Sequence, residues 1–249
     1  QLEQSLLPTQ NKRIINLGQV LFPTTCIDSF YEDPMAVRNL AMSQGFNGPD
    51  NEIGSYPGSR SHIIAEFDPQ FFDNFCKRLL STFFDLNTCN RFSWNIESYF
   101  QLIYPHSDTD LNKAWVHNDN ESVLGGVIYL DPDADVDSGT SIGEVDFSKI
   151  DQDQFSDNQK IRKQFYKGEL TSPEDIREYK RLININNDCY TITAEFKNKF
   201  NRLICFDSDQ AHKASFVTGT KPRLTQVFFV KALDTSSHPP MIRLNQYLL

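Results

Sequence analysis

Five histidines occur in 249 residues, and two of them sit where they could share one ion. In the stretch Trp115-Val116-His117-Asn118-Asp119, an imidazole and a carboxylate are one residue apart, just ahead of the apolar stretch 123–130. Side chains at i and i+2 of extended chain point to the same side, so His117 and Asp119 are expected to converge. His212, after the strand-like Arg202-Leu203-Ile204-Cys205-Phe206, is the candidate third ligand. Two imidazoles and one carboxylate on one face of an octahedron leave three positions open. That donor set suits Fe(II) better than a closed tetrahedral zinc site, which would call for thiolates or a fourth side chain. A competing pair, His106-Ser107-Asp108, lies in a Pro-Ser-Asp-Thr loop and is expected at a pocket rim or in solvent. Arg223 follows His212 by 11 positions and opens another apolar stretch. A guanidinium grips a carboxylate with two parallel hydrogen bonds, and Thr225 on the same side of the strand could add a hydroxyl. Tyr129 could supply another.

These residues need elements to hold them. Residues 12–22 alternate imperfectly and predict a strand ending before Pro23. Asp33-Pro34 predicts a capped helix with Met35, Val37, Leu40 and Ala41 on its apolar face, stopping near Gly45. Residues 47–61 read as loop, including Tyr56-Pro57-Gly58-Ser59-Arg60-Ser61. Asp68-Pro69 starts a second helix, with Phe71, Phe72, Phe75, Leu79, Leu80, Phe83 and Phe84 along one face, expected to buttress a sheet. From residue 92 onward, strands are expected at 92–104, 123–130, 189–196, 200–206 and 223–233. A charged, helix-like stretch interrupts them at 144–188, with Ser172-Pro173-Glu174-Asp175 opening a helix through Lys180. Helices first, then strands without alternating helices, favour an antiparallel sandwich, barrel or jelly roll over a doubly wound sheet.

The order His-x-Asp, then His, then Arg-x-Thr, with Ile128-Tyr129-Leu130 after the first pair, resembles the 2-oxoglutarate/Fe(II)-dependent oxygenase superfamily, and within it the prolyl-hydroxylase-like branch. Tyr104-Pro105, the Asp137-Ser138-Gly139 turn and Phe206-Asp207-Ser208-Asp209 match that branch in order, over roughly residues 98–145 and 198–232. The Asp33-Pro34 helix and Tyr56-Pro57-Gly58 are similar to uncharacterised bacterial and phage members. The resemblance implies a mainly β fold with flanking α-helices: a double-stranded β-helix core of the jelly-roll, cupin-like kind. It implies one oxygenase domain over 1–249, made of an N-terminal strand and buttressing helices (1–91), core strands (92–143 and 189–233), a helical insertion (144–188) and a tail (234–249). It further implies Fe(II) on His117, Asp119 and His212. The cosubstrate 2-oxoglutarate would be held by Arg223, Thr225, Tyr129 and Tyr104, with O2 as oxidant and a protein or small-molecule substrate hydroxylated at a C–H bond. The retained Asp119 speaks against the halogenases of the superfamily. Ser138-Gly139-Thr140 lacks a second glycine, and the insertion is longer than the usual connection, which bears on the prolyl substrate more than on the iron. The alternatives are a non-catalytic jelly-roll binding module and a metal cupin enzyme that needs no cosubstrate.

Composition narrows the remaining classes. A net charge of −9 disfavours binding nucleic acid through its phosphates. Five widely spaced cysteines without a CxxC indicate neither a disulfide framework nor a zinc ribbon. No apolar run reaches the ~20 residues that span a bilayer, and no signal core is visible, so a cytoplasmic protein is expected. Trp115 and Tyr104 either line a pocket or pack, Arg60 is either a surface charge or a substrate contact, and the run Asp131, Asp133, Asp135, Asp137 reads as a solvated turn. The insertion, with Phe147, Phe155, Phe165, Tyr166 and Tyr179 among its charges, is expected to form a flap over the iron site or to pack outside the barrel.

Overall fold

The computed structural model describes residues 14–15, 18–19, 22–48, 56–87, 90–105, 114–119, 121–149, 152–215, 217 and 220–235. Two antiparallel sheets dominate it. The larger has six strands: β3 (Thr25–Ile27), β4 (Ser59–Arg60), β5 (Phe92–Ile103), β6 (Leu124–Tyr129), β9 (Leu203–Asp207) and β11 (Arg223–Thr235), in the order β3-β9-β6-β11-β5-β4. The smaller has three, β7 (Thr140–Val145), β8 (Tyr190–Phe196) and β10 (Ala211–Ala214), in the order β10-β7-β8. Side chains from both sheets line one cavity between them: Val127, Thr225 and Val227 from the larger, Thr140, His212 and Ala214 from the smaller.

The outer face of the six-stranded sheet is closed by helices whose starts follow from their caps. Asp33 accepts a hydrogen bond from Ala36 N and Pro34 opens α1 (Pro34–Met42); Asp68 accepts from Phe71 N and Pro69 opens α3 (Pro69–Leu80), preceded by the single turn α2 (Ile64–Phe67). Proline fits the first helical position because the amide it lacks has no helical partner there. α3 turns Phe75, Cys76, Leu79 and Leu80 inward, where Phe75 meets Phe228 of β11 edge-to-face at 5.5 Å between ring centroids. Each such side chain contributes about 1.5–3 kcal/mol through removal from water. Phe83 and Phe84 are buried in the same core but lie beyond the helix end.

Between β7 and β8 run α4 (Gln152–Tyr166) and α5 (Pro173–Asp188), the latter capped by Ser172, whose hydroxyl accepts from Asp175 N. Tyr179, Leu182 and Ile183 of α5, Ile161 of α4 and Trp115 form a second apolar cluster.

Several expectations need correction. The single strand over 12–22 is instead a pair of two-residue strands, β1 (Ile14–Ile15) and β2 (Gly18–Gln19), matched Ile14↔Gln19 and Ile15↔Gly18. The loop 47–61 contains β4, which pairs Ser59 with Leu102 and Arg60 with Gln101. β3, β7 and β10 have no counterpart among the expected strands; they are short, and the ladder partner that makes each a strand lies far away in sequence. The insertion begins after Val145 rather than at residue 144, α5 runs past Lys180 to Asp188, and β11 reaches Thr235, past the expected tail boundary. His106, Asp108, His238 and Cys89 lie outside the described residues.

Candidate metal centre

His117, Asp119 and His212 come together: one ligating atom of each lies within 4.8 Å of the others. Backbone pairing enforces this. His117 and His212 exchange hydrogen bonds, each N–H donating to the other's carbonyl at 3.0 Å, and Asp119 N donates to Ser208 O at 3.0 Å. The loop residue 117 is thereby stitched to β10, and the imidazole rings sit 4.4 Å apart between centroids. Gly125 makes room for the carboxylate, since a Cβ there would lie 2.8 Å from Asp119 Oδ2.

Both imidazoles are prepared in the same way. His117 Nδ1 lies 2.8 Å from Trp115 O and His212 Nδ1 lies 2.9 Å from Gln210 O. A carbonyl only accepts, so each Nδ1 carries the proton and each Nε2 keeps its lone pair for an ion. His212 Nε2 stands 3.4 Å from Asp119 Oδ2. Desolvation, with further contributions from His212 and Arg162, holds the His117 pKa well below its ordinary value, so its ring is neutral at neutral pH. Two imidazole nitrogens and one carboxylate on a cavity wall fit a divalent cation of intermediate hardness.

The cavity, about 230 Å³ in volume, runs from this cluster to Arg223. Asp119 abuts Gly125 at the start of β6, whereas Thr225 pairs with Tyr129 at the end of that strand, about 13 Å further along. The smaller sheet repeats this polarity, with His212 opposite Ile142 and Thr140 two residues away. Arg223 is 3% exposed. Its Nη2 donates to Thr140 Oγ1 at 3.3 Å and its Nε has no hydrogen-bond partner; among the described residues no carboxylate pairs with it. Burial lowers its pKa from the ordinary value, an effect opposed by Tyr129. Thr225 is buried on the cavity wall. Tyr129 is also buried but does not line the cavity; its hydroxyl lies 2.8 Å from Thr140 Oγ1 and its ring 5.4 Å from the Arg223 guanidinium carbon.

Two expectations about neighbouring residues resolve against a pocket role. Tyr104 is 57% exposed and does not line the cavity, because β5 ends at Ile103 and releases the next residue to the surface. Trp115 packs instead of lining: its Nε1 donates to Tyr179 OH at 3.1 Å. Arg60, by contrast, is on the cavity wall, stacked 4.0 Å from the Tyr56 ring centroid. The Asp131–Asp137 run is exposed turn, with Asp131 and Asp135 side chains accepting from the amides two residues on. Thr140, Gln101 and Arg162 also line the cavity and carried no signal in the sequence. Thr140 is one hydroxyl among many, and Arg162 sits in a helix full of charges.

The region 114–117 is held from the insertion. Asn187 accepts from Val116 N at 3.1 Å and donates to Ala114 O at 3.0 Å, while Asn186 donates to Val116 O at 3.1 Å. Among the described residues no helix is long and apolar enough to cross a membrane.

Fold and site together define a mainly antiparallel β protein with a His-Asp-His cluster and a buried arginine on one internal cavity. The chain belongs to a family of unknown function, DUF6445, whose model matches residues 8–223. No curated protein matches its sequence. Among solved structures it is similar to HygX from Streptomyces hygroscopicus with nickel and 2-oxoglutarate bound (13% identity, 82% of this chain and 81% of that one, TM-score 0.49). It is also similar to a prolyl-4-hydroxylase from Pseudomonas putida (14%, 84% and 92%, 0.47) and to a prolyl hydroxylase from Trichoplax adhaerens in complex with a hypoxia inducible factor peptide fragment (12%, 83% and 82%, 0.42).

Proposed function

We propose that this chain is a single-domain Fe(II)- and 2-oxoglutarate-dependent oxygenase that hydroxylates a C–H bond, with His117, Asp119 and His212 as the metal ligands. One observation carries this reading: an open three-ligand cluster shares a small cavity with a buried arginine that has no anionic partner among the described residues. A buried guanidinium without a carboxylate is costly, and an anionic ligand relieves that cost.

When bound, iron and 2-oxoglutarate supply the oxidising chemistry, in which dioxygen and 2-oxoglutarate are consumed, succinate and carbon dioxide released, and one oxygen atom placed in a substrate C–H bond. The protein's own part is binding and orientation. His117 and His212 present Nε2, each fixed by its Nδ1–carbonyl bond, and Asp119 supplies the negative charge. Arg223 receives the far carboxylate of 2-oxoglutarate, with the Thr140 and Thr225 hydroxyls beside it. Tyr129 acts one step back, holding the Thr140 hydroxyl in place. Val127, Phe206, Val227 and Phe229 keep the cavity wall apolar, which strengthens each of these electrostatic contacts.

Calorimetry with Mn(II) in place of iron tests the assignment. One ion should bind per chain, and His212→Ala should abolish that binding. Arg223→Ala should weaken 2-oxoglutarate by about 2–4 kcal/mol with little change in Mn(II) affinity. Succinate formation from 2-oxoglutarate by the iron-loaded protein should follow. Equal 2-oxoglutarate affinity in Arg223→Ala and the parent removes Arg223 from the site, and absence of Mn(II) binding by the parent removes the metal.

A further inference from the structure

We infer that Trp115 and Gln210 are positioning residues of the metal centre: each uses its side chain to hold the backbone carbonyl that orients one of the two imidazoles. This rests on the metal assignment above and goes beyond it by naming residues that are not on the cavity wall.

His117 and His212 face each other as a hydrogen-bonded antiparallel pair, and each Nδ1 meets the carbonyl of the residue two positions earlier, Trp115 for His117 and Gln210 for His212. A neutral imidazole has two tautomers, and only the one with its proton on Nδ1 leaves Nε2 open to an ion. The carbonyl that receives this proton also fixes the rotation of the ring, so an error in its position passes directly to Nε2. Neither Trp115 nor Gln210 lies in a helix or a strand. No regular ladder therefore holds these two carbonyls, and other bonds must.

The side chains supply them. Trp115 is 2% exposed, and its Nε1 donates to Tyr179 OH at 3.1 Å. Tyr179 is itself fully buried on α5, with its ring stacked on Phe165 of α4 at 3.9 Å between centroids, so the far end of that bond is fixed. On either side of the Trp115 carbonyl, Asn187 takes the amide of Val116 and the carbonyl of Ala114. Gln210 is anchored elsewhere. Its Nε2 donates to Gly143 O of β7 at 2.7 Å, and its own amide donates to Asp207 O at 2.9 Å.

A purely structural role would not explain why the same relation, a carbonyl two residues ahead carried by a residue whose side chain is a bonded donor, recurs at both ligands. The two anchors also belong to different parts of the molecule. His117 takes its orientation from the insertion and His212 from the smaller sheet, so loosening one anchor should disturb one ring and leave the other in place.

The test uses the full chain. Long-range 1H–15N spectra of the metal-free protein at mildly alkaline pH report the tautomer of each imidazole, with the signals assigned from His117→Ala and His212→Ala, and calorimetry with Mn(II) reports affinity. Both rings of the parent should carry the proton on Nδ1. Trp115→Phe should turn the His117 ring into a mixture of tautomers and leave His212 unchanged. Tyr179→Phe, which removes only the hydroxyl that Trp115 holds, should do the same, and Gln210→Met should do the reverse. Trp115→Phe and Gln210→Met should each weaken Mn(II) by about tenfold or more. Phe228→Leu, in the core under α3, should lower stability without moving either tautomer. If the tautomers stay put in all three anchor variants, if each variant disturbs both rings alike, or if Phe228→Leu disturbs them equally, the inference is wrong while Mn(II) binding by the parent keeps the metal assignment. If the parent binds no Mn(II), the metal assignment has failed and the inference falls with it.

Discussion

Two groups of helices pack against the β body, and they do different work. The N-terminal set, α1 to α3, gives the six-stranded sheet a core of aromatic and aliphatic side chains and sends nothing into the cavity. The inserted pair, α4 and α5, adds a smaller apolar cluster, but it also places Arg162 on the cavity wall and holds the backbone of 114–116 through Asn186 and Asn187. The first set supports the fold; the second supports the strap on which His117 sits. The insertion thus acts as a clamp on this strap, since removing it would take away Tyr179, Leu182 and Ile183, against which Trp115 packs.

The contrast can be broken in order of effect. Phe228→Ala, in the core under α3, should cost about 3–5 kcal/mol of unfolding free energy in urea while the folded fraction keeps its Mn(II) affinity. A parallel loss of metal affinity would show that the two regions are not separable. Asn187→Ala leaves two backbone groups of 114–116 without their partner, and should cost about 1–3 kcal/mol in stability while weakening Mn(II) more than Phe228→Ala does. Unchanged Mn(II) affinity in that variant would reduce α5 to an external brace.

The smallest effect belongs to the N-terminal side, at the surface joint where Asp28 takes two bonds from Arg202, at 2.6 and 3.2 Å, and one from Lys199 at 2.7 Å. Those donors hold the Asp28 carboxyl well below the usual carboxylate range. A lowered folded-state pKa adds stability above the unfolded value of about 4, and that stability is lost as pH falls through the folded value. Because the group is exposed, Asp28→Asn should cost less than about 1 kcal/mol at pH 7. The gap between variant and parent should shrink on acidification below about pH 4; a gap that stays constant with pH would mean the charge contributes nothing.

Much of the site was legible in the sequence because its signals are local. His117 and Asp119 needed only a period of two, His212 and Arg223 only scarcity and order, and the helix starts only an Asp-Pro pair with an apolar face behind it. What the sequence could not yield depends on partners far along the chain. β3, β4, β7 and β10 are strands because of residues tens to well over a hundred positions away, and Tyr104 left the site because β5 stops one residue earlier. Arg60 and Arg162 show the same limit most plainly. Each looks like a surface charge in its own neighbourhood, and only the pairing of β4 with β5 and the return of the insertion over the cavity turn both onto the wall that His117 and Asp119 share. Residue type and spacing determined which side chains could meet an ion and which could grip an anion; the tertiary structure decided which other side chains share their cavity, because that depends on what the packed sheets and helices bring within reach of one another.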